Sequence, residues 1–192
     1  MKCTVAAAIM ATVVAGAASA QTAEFKCPTG GTQFTYKAGP VERINTVTGQ
    51  DGNVCLVSSI SDGKTEALRV HWGLVRSVDA QGESFAGGLD LKSLWPLKVG
   101  NTTTNSVTVI GRDGKSYTST ITLVVAAYEK VTVPAGTFDA FRVEEVKAGS
   151  TARNIHWWTP ALAYSVKESF PDWRDFSKVI VLELTSVKPA AK

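Results

Sequence analysis

The feature that most limits what this chain can fold into is a two-residue rhythm that restarts about every ten residues. In Tyr117-Thr118-Ser119-Thr120-Ile121-Thr122-Leu123-Val124-Val125 the residues Tyr117, Ile121, Leu123 and Val125 fall on one side, and Thr118, Thr120 and Thr122 on the other. A half-buried strand needs that division, because successive side chains of an extended backbone point to opposite faces. Ser106–Ile110 precedes it through Gly111-Arg112-Asp113-Gly114, a hairpin loop whose glycines admit positive φ.

The same rhythm predicts strands over Gln33–Lys37, Ile44–Thr48, Val54–Ile60, Ala67–Val78, Tyr128–Val133, Phe138–Val146, Asn154–Trp158, Ala163–Glu168 and Val179–Val187. Turn chemistry separates them, as in Gly49-Gln50-Asp51-Gly52-Asn53 and Ala148-Gly149-Ser150. Helical periodicity is absent after residue 21, apart from a short helix expected at Asp90–Leu94 ahead of Trp95-Pro96. The fold class that follows is all-β: a single domain built as an antiparallel meander of roughly ten strands, closed into a barrel or curled into a half-barrel. In Glu129–Val146, Pro134 and Gly136 force a turn, and Val131 and Val133 on one arm and Phe141 and Val143 on the other are expected to face one core.

Residues 1–20 read as a signal peptide. Lys2 precedes the apolar run Thr4–Ala18, and Ala18-Ser19-Ala20 is a small-x-small cleavage site with cleavage after Ala20. A membrane anchor is the alternative, but the run is short and rich in Ala, Gly and Thr. Cys27 follows Phe25-Lys26 and so lacks the position that lipidation behind the cleavage site requires. Removing 20 of 192 residues leaves 172, a domain at 21–192 expected to be soluble and periplasmic or secreted, with no membrane-spanning segment. The loss of Lys2 takes the basic count from 20 to 19 against 17 acids, so the net charge falls from +3 to +2. That balance gives no electrostatic case for nucleic acid.

Cys3 leaves with the leader, and the remaining pair, Cys27 and Cys55, is expected to form one disulfide in an oxidising compartment. Two separately buried thiols are the alternative.

Three stretches, Trp95-Pro96-Leu97-Lys98-Val99-Gly100, Val131-Thr132-Val133-Pro134-Ala135-Gly136-Thr137-Phe138 and His156-Trp157-Trp158-Thr159-Pro160, carry a resemblance. The chain resembles uncharacterised exported bacterial β-rich proteins with a "PL-x-x-G" element, a "V-x-x-PAG-x-F" hairpin and a "W-aromatic-x-P" strand end before "VKE", here Val166-Lys167-Glu168. The similarity covers about residues 94 to 186 and departs from the pattern at Ala161-Leu162-Ala163, where a glycine is usual. It implies a β-rich exported fold and brings no catalytic residues with it.

Reactive groups are sparse. His71 and His156 each precede a tryptophan on an expected strand and have the means to share a metal with Glu144 or Glu168, yet no metal-ligand spacing supports this. Gly82-Glu83-Ser84-Phe85-Ala86-Gly87 misses the G-x-S-x-G spacing by one residue. Glu144 and Glu145 fall on opposite faces of a strand, which spoils them as an acid/base couple. No cofactor, metal or catalytic set is therefore expected. An envelope hydrolase or metal-dependent enzyme using His71 and His156 is the alternative.

Ser169-Phe170-Pro171-Asp172-Trp173-Arg174-Asp175-Phe176 places three aromatics and three charges in one expected loop. Rings there either fold back on the core or face a ligand, so Phe170, Trp173, Arg174 and Phe176 are candidate binding residues. Trp157 and Trp158 must face opposite sides of their strand, which adds Trp158 as a candidate cavity residue. The reading is a non-catalytic β-domain that binds an apolar or amphipathic ligand or docks on an envelope component, with a lipid, a glycan or an envelope protein as partner.

Overall fold

A computed structural model describes residues 21–78, 84–111, 113–172 and 175–191. The expected leader, residues 1–20, lies outside them. Among the described residues twelve strands follow one another: β1 Gln33–Ala38, β2 Val41–Asp51, β3 Val54–Ser61, β4 Lys64–His71, β5 Val75–Val78, β6 Ser84–Gly87, β7 Thr102–Ile110, β8 Ser116–Val133, β9 Gly136–Lys147, β10 Arg153–Thr159, β11 Tyr164–Asp172 and β12 Asp175–Lys188. They form one antiparallel sheet in the order β5-β4-β3-β2-β1-β12-β11-β10-β9-β8-β7-β6. The first strand pairs with the last, Phe34 opposite Val187 and Tyr36 opposite Leu184, so the meander breaks between β5 and β6 and not at the chain ends. The sheet curls into a half-barrel whose two edges approach within 8 Å at the Cα level.

Most expected strands form within a few residues of their predicted limits, and the departures have local causes. Ala67–Val78 is not one strand. Trp72 and Gly73 adopt φ of 52° and 70°, the Leu74 amide donates to His71 O at 3.0 Å, and the chain turns between β4 and β5. Conversely, the two strands expected at Tyr117–Val125 and Tyr128–Val133 are one, β8, which keeps its ladder across a bulge between Val125 and Ala127. Extra residues at a bulge bend a strand without ending it. Asp90–Leu94 contributes only the 3-10 turn Lys92–Leu94, in which Asp90 Oδ1 accepts from the Lys92 amide at 2.8 Å.

The β8–β9 ribbon corrects a second expectation. Phe141 and Val143 join one buried cluster with Ile121, Leu123, Val125 and Trp158, whereas Val131, Val133 and Ala140 join another with Phe34, Tyr36, Val166 and Leu184. The register explains the split. Val131 lies opposite Phe138 and Tyr128 opposite Phe141, which places the two sets on opposite faces of the ribbon. Its tip reaches beyond Trp158, the last β10 residue paired to β9, and is held on β12 by the Ala135 amide donating to Leu184 O at 3.0 Å.

The N-terminal segment fastens one end of the curl. Ala23 and Leu97 exchange backbone hydrogen bonds at 3.1 and 2.8 Å, and Phe25 sits 5.5 Å from the rings of both Trp72 and Trp95. Four residues after Ala23, Cys27 is bonded to Cys55 of β3, the expected disulfide, with Cα atoms 5.6 Å apart. One short strap thus joins the segment ahead of β7 to β3, spanning the side on which the sheet is open.

Candidate functional site

The inner face of the half-barrel is apolar near the strap and polar toward the other end. Register decides which side chains reach the polar part. His156 of β10 lies between Val143 of β9 and Glu168 of β11, and Asn154 lies opposite Glu145, so these five residues share one face. Across the curl, Arg43 of β2 pairs in register with the buried Tyr36, Ser59 pairs with Asn45, and Glu66 with Ser59. Arg76 of β5 stands opposite Val70 and completes the ring of inward residues.

Between them is a cavity of about 340 Å³, within the range of small-ligand pockets. Its charged lining is Arg43, Arg76 and Lys147 with Glu66, Glu145 and Glu168, and its apolar lining is Leu68, Val75, Phe170 and Pro171. Glu168 and Glu145 are 3% and 5% exposed and His156 is 8% exposed. Phe170 and Pro171 are half-buried, which makes one wall of the cavity apolar.

The electrostatics follow from burial. Arg76 and Glu168 form an ion pair across the interior. Burial works against the Arg76 charge, but Glu168, together with Tyr164 and Tyr36, outweighs it and holds the guanidinium above its ordinary value. Arg43 is pushed down by burial and then by the like charge of Arg76. Tyr36 is raised well above the usual phenol value by burial, and its hydroxyl donates to Ser165 O at 2.6 Å. Tyr164, stacked on Phe34 at 4.3 Å, is raised to about 12 by burial.

His156 differs from its neighbours. Burial lowers its pKa, so it is neutral at pH 7, and neither ring nitrogen has a hydrogen-bond partner. A neutral imidazole carries one donor and one acceptor, and leaving both unmet in a buried place costs about 1–3 kcal/mol per group. The side chain lines the cavity.

The two histidines do not share a site. His71 Nε2 lies 3.0 Å from Ser77 Oγ, on the face of β4 opposite that of Leu68 and Val70. Among the described residues no group of three or more His, Cys, Asp or Glu side chains is placed to hold a metal ion. Glu144 and Glu145 do diverge: Glu144 pairs on the outer face with Arg142 at 2.9 Å and with Arg153, while Glu145 lines the cavity.

Trp157 and Trp158 divide as expected. The Trp157 Nε1–H donates to Glu129 on the outer face at 2.7 Å. Trp158 is fully buried against Trp95, 5.1 Å between rings, and does not line this cavity. The loop expected at Ser169–Phe176 is the end of a hairpin, with Asp172 of β11 opposite Asp175 of β12. Of its candidates, Phe170 reaches the cavity wall. Trp173, Arg174 and the Phe176 side chain lie outside the described residues, as do Gly82 and Glu83 of the serine motif.

Sequence reasoning missed Arg43, Arg76, Glu145 and Asn154 as cavity residues. The available signal was a charge at an inward position of a strand, visible as Arg76 two residues from Val78 and Glu145 two residues from Val143. The alternation alone cannot say which strands curl to face each other.

No protein-family model matches the chain, and no curated protein does. Solved structures do. The hypothetical lipoprotein YmcC from Escherichia coli superposes with a TM-score of 0.51 at 12% identity, over 84% of this chain and 85% of that one. A chain from Bacteroides fragilis, described as an exported protein with a YmcC-like fold, gives 0.47 at 14% identity over 86% and 99%. The half-barrel described above is similar in fold to YmcC.

Proposed function

We propose that this chain is an exported, non-catalytic envelope protein that holds a small amphipathic ligand inside its half-barrel. The observation that carries the reading is His156: a buried imidazole with both nitrogens unpartnered, lining a cavity that also has an apolar wall at Phe170. An apolar ligand alone would strand the charges around it, whereas a ligand with a polar head and an apolar portion matches both parts. Export is supported by the leader-like residues 1–20, by the Cys27–Cys55 disulfide and by the lipoprotein description of YmcC, which it resembles in fold.

The reading is tested by native mass spectrometry on protein isolated gently from an exporting cell, followed by denaturation. A released small molecule is expected, and Leu68→Trp, which fills the cavity, is expected to abolish its recovery while the protein still folds. Ligand-free protein, or a ligand that Leu68→Trp retains, would overturn the cavity as its seat.

A further inference from the structure

The lining narrows the chemistry of the ligand head. Cations and carboxylates alternate around the cavity: Arg43 and Arg76 reach in from β2 and β5, Glu66 from β4 between them, and Glu145 and Glu168 from the opposite wall. A simple anion placed here meets the buried carboxylates of Glu145 and Glu168 and the exposed one of Glu66, and a simple cation meets Arg43, Arg76 and Lys147. A zwitterion requires its two poles to find separate zones, and the signs here are interleaved. An uncharged group with many hydroxyls has no such conflict, because each hydroxyl donates one hydrogen bond and accepts others.

Donors and acceptors are both present in the lining to meet it. Glu145 accepts, Asn154 and Ser59 do both, and His156 offers one nitrogen of each kind. Phe170 in the apolar wall gives a ring against which the C–H face of a sugar can lie. We infer that the cavity takes an uncharged polyhydroxylated ligand, a small saccharide or the sugar head of a glycolipid, with Glu145, Asn154 and His156 binding its hydroxyls and Phe170 its apolar face. The inference rests on the reading of the cavity as the ligand seat.

The test uses the full chain, exported and purified, against an array of neutral saccharides and the same sugars bearing phosphate. Phosphatidylglycerol vesicles, with and without a neutral glycolipid, are titrated in parallel. A neutral sugar is expected to bind, with affinity about tenfold weaker in Glu145→Gln and in Asn154→Ala at unchanged melting temperature. Asn154, half-buried at the cavity wall, serves as the variant least able to disturb folding. Binding of free saccharide identifies a soluble glycan, and binding only to glycolipid vesicles identifies a lipid-linked head; both uphold the chemistry. Binding confined to phosphosugars or phosphatidylglycerol, absence of neutral-sugar binding at millimolar concentration, or affinity unchanged in both variants overturns it. If mass spectrometry releases a small molecule of another class that Leu68→Trp excludes, the sugar assignment falls and the cavity reading stands.

Discussion

Arg76 and Glu168 join the two walls of the half-barrel: β5 is one free edge of the sheet, β11 lies six strands away in the sheet order, and the ion pair between them crosses the interior. The pair holds an edge strand that, among the described residues, has only β4 as a ladder partner. Removing one partner leaves a buried charge without compensation, which costs about 3–5 kcal/mol, whereas replacing both with apolar groups of similar volume is often neutral. Glu168→Gln is therefore expected to lower stability by that amount in urea unfolding, and Arg76→Met with Glu168→Leu to recover most of it. Equal losses in the single and double variants would show that the pair does not act as a unit.

The strap makes a second prediction. Cys27 and Cys55 close a loop with a sequence separation of 28, and restricting the unfolded chain in this way stabilises by about 3–4 kcal/mol in the chain-entropy model. Cys27→Ser with Cys55→Ser is expected to lose that much and to free the segment from Ala23 to Cys27, because little besides the Ala23–Leu97 bonds and the Phe25 ring contacts then holds it. Amide exchange reads this directly: the Ala23 and Leu97 amides should lose protection before the β1–β12 ladder does.

These two devices differ in how far the sequence announces them. The disulfide is legible from compartment and cysteine count alone, and the strands from alternation, since both signals are local. Arg76 and Glu168 are separated by 92 residues, and their meeting depends on the curl. The same holds for the split of the β8–β9 ribbon: Val131 and Phe141 each look inward in the sequence, but the pairing of Val131 with Phe138 and of Tyr128 with Phe141 puts them on opposite faces and in different clusters. The opposite facing of Trp157 and Trp158 is likewise local, but what surrounds Trp158 is not: Trp95 and the close backbone of Gly73, where a Cβ would lie 3.1 Å from Trp158 Nε1, enclose it.

Gly88 tests the edge of the sheet at β6. Its φ is +85°, and a Cβ there would lie 2.2 Å from Ser106 O, a backbone atom that cannot swing aside. Gly88→Ala therefore meets both backbone strain and a clash, and is expected to cost at least about 2 kcal/mol. Gly114→Ala, also at positive φ but with open space around it, should cost about 1 kcal/mol. Similar melting temperatures for the two variants would remove the close approach of Gly88 to β7 as a stabilising constraint.

His156 gives a pH dependence whose sign follows from its burial. Its folded pKa is lowered from 6.5, chiefly by burial, with Glu168 and Glu145 opposing the shift and Arg76 adding to it. Above pH 6.5 the imidazole is neutral in both folded and unfolded chains and contributes no slope. As the pH falls below 6.5 the unfolded chain takes up a proton that the folded chain refuses, and stability drops by up to about 1.4 kcal/mol per pH unit until the folded pKa is reached. His156→Gln removes this term while keeping a polar side chain in the cavity. The difference in unfolding free energy between wild type and His156→Gln is therefore expected to shift against wild type between pH 7 and pH 5.5, a window above the carboxylate titrations. His71, present in both proteins, cancels in the comparison. A saccharide bound to the neutral imidazole should keep its affinity while the folded chain stays unprotonated and lose it only as the pH falls through the lowered folded pKa, so binding is expected to weaken at lower pH than stability does.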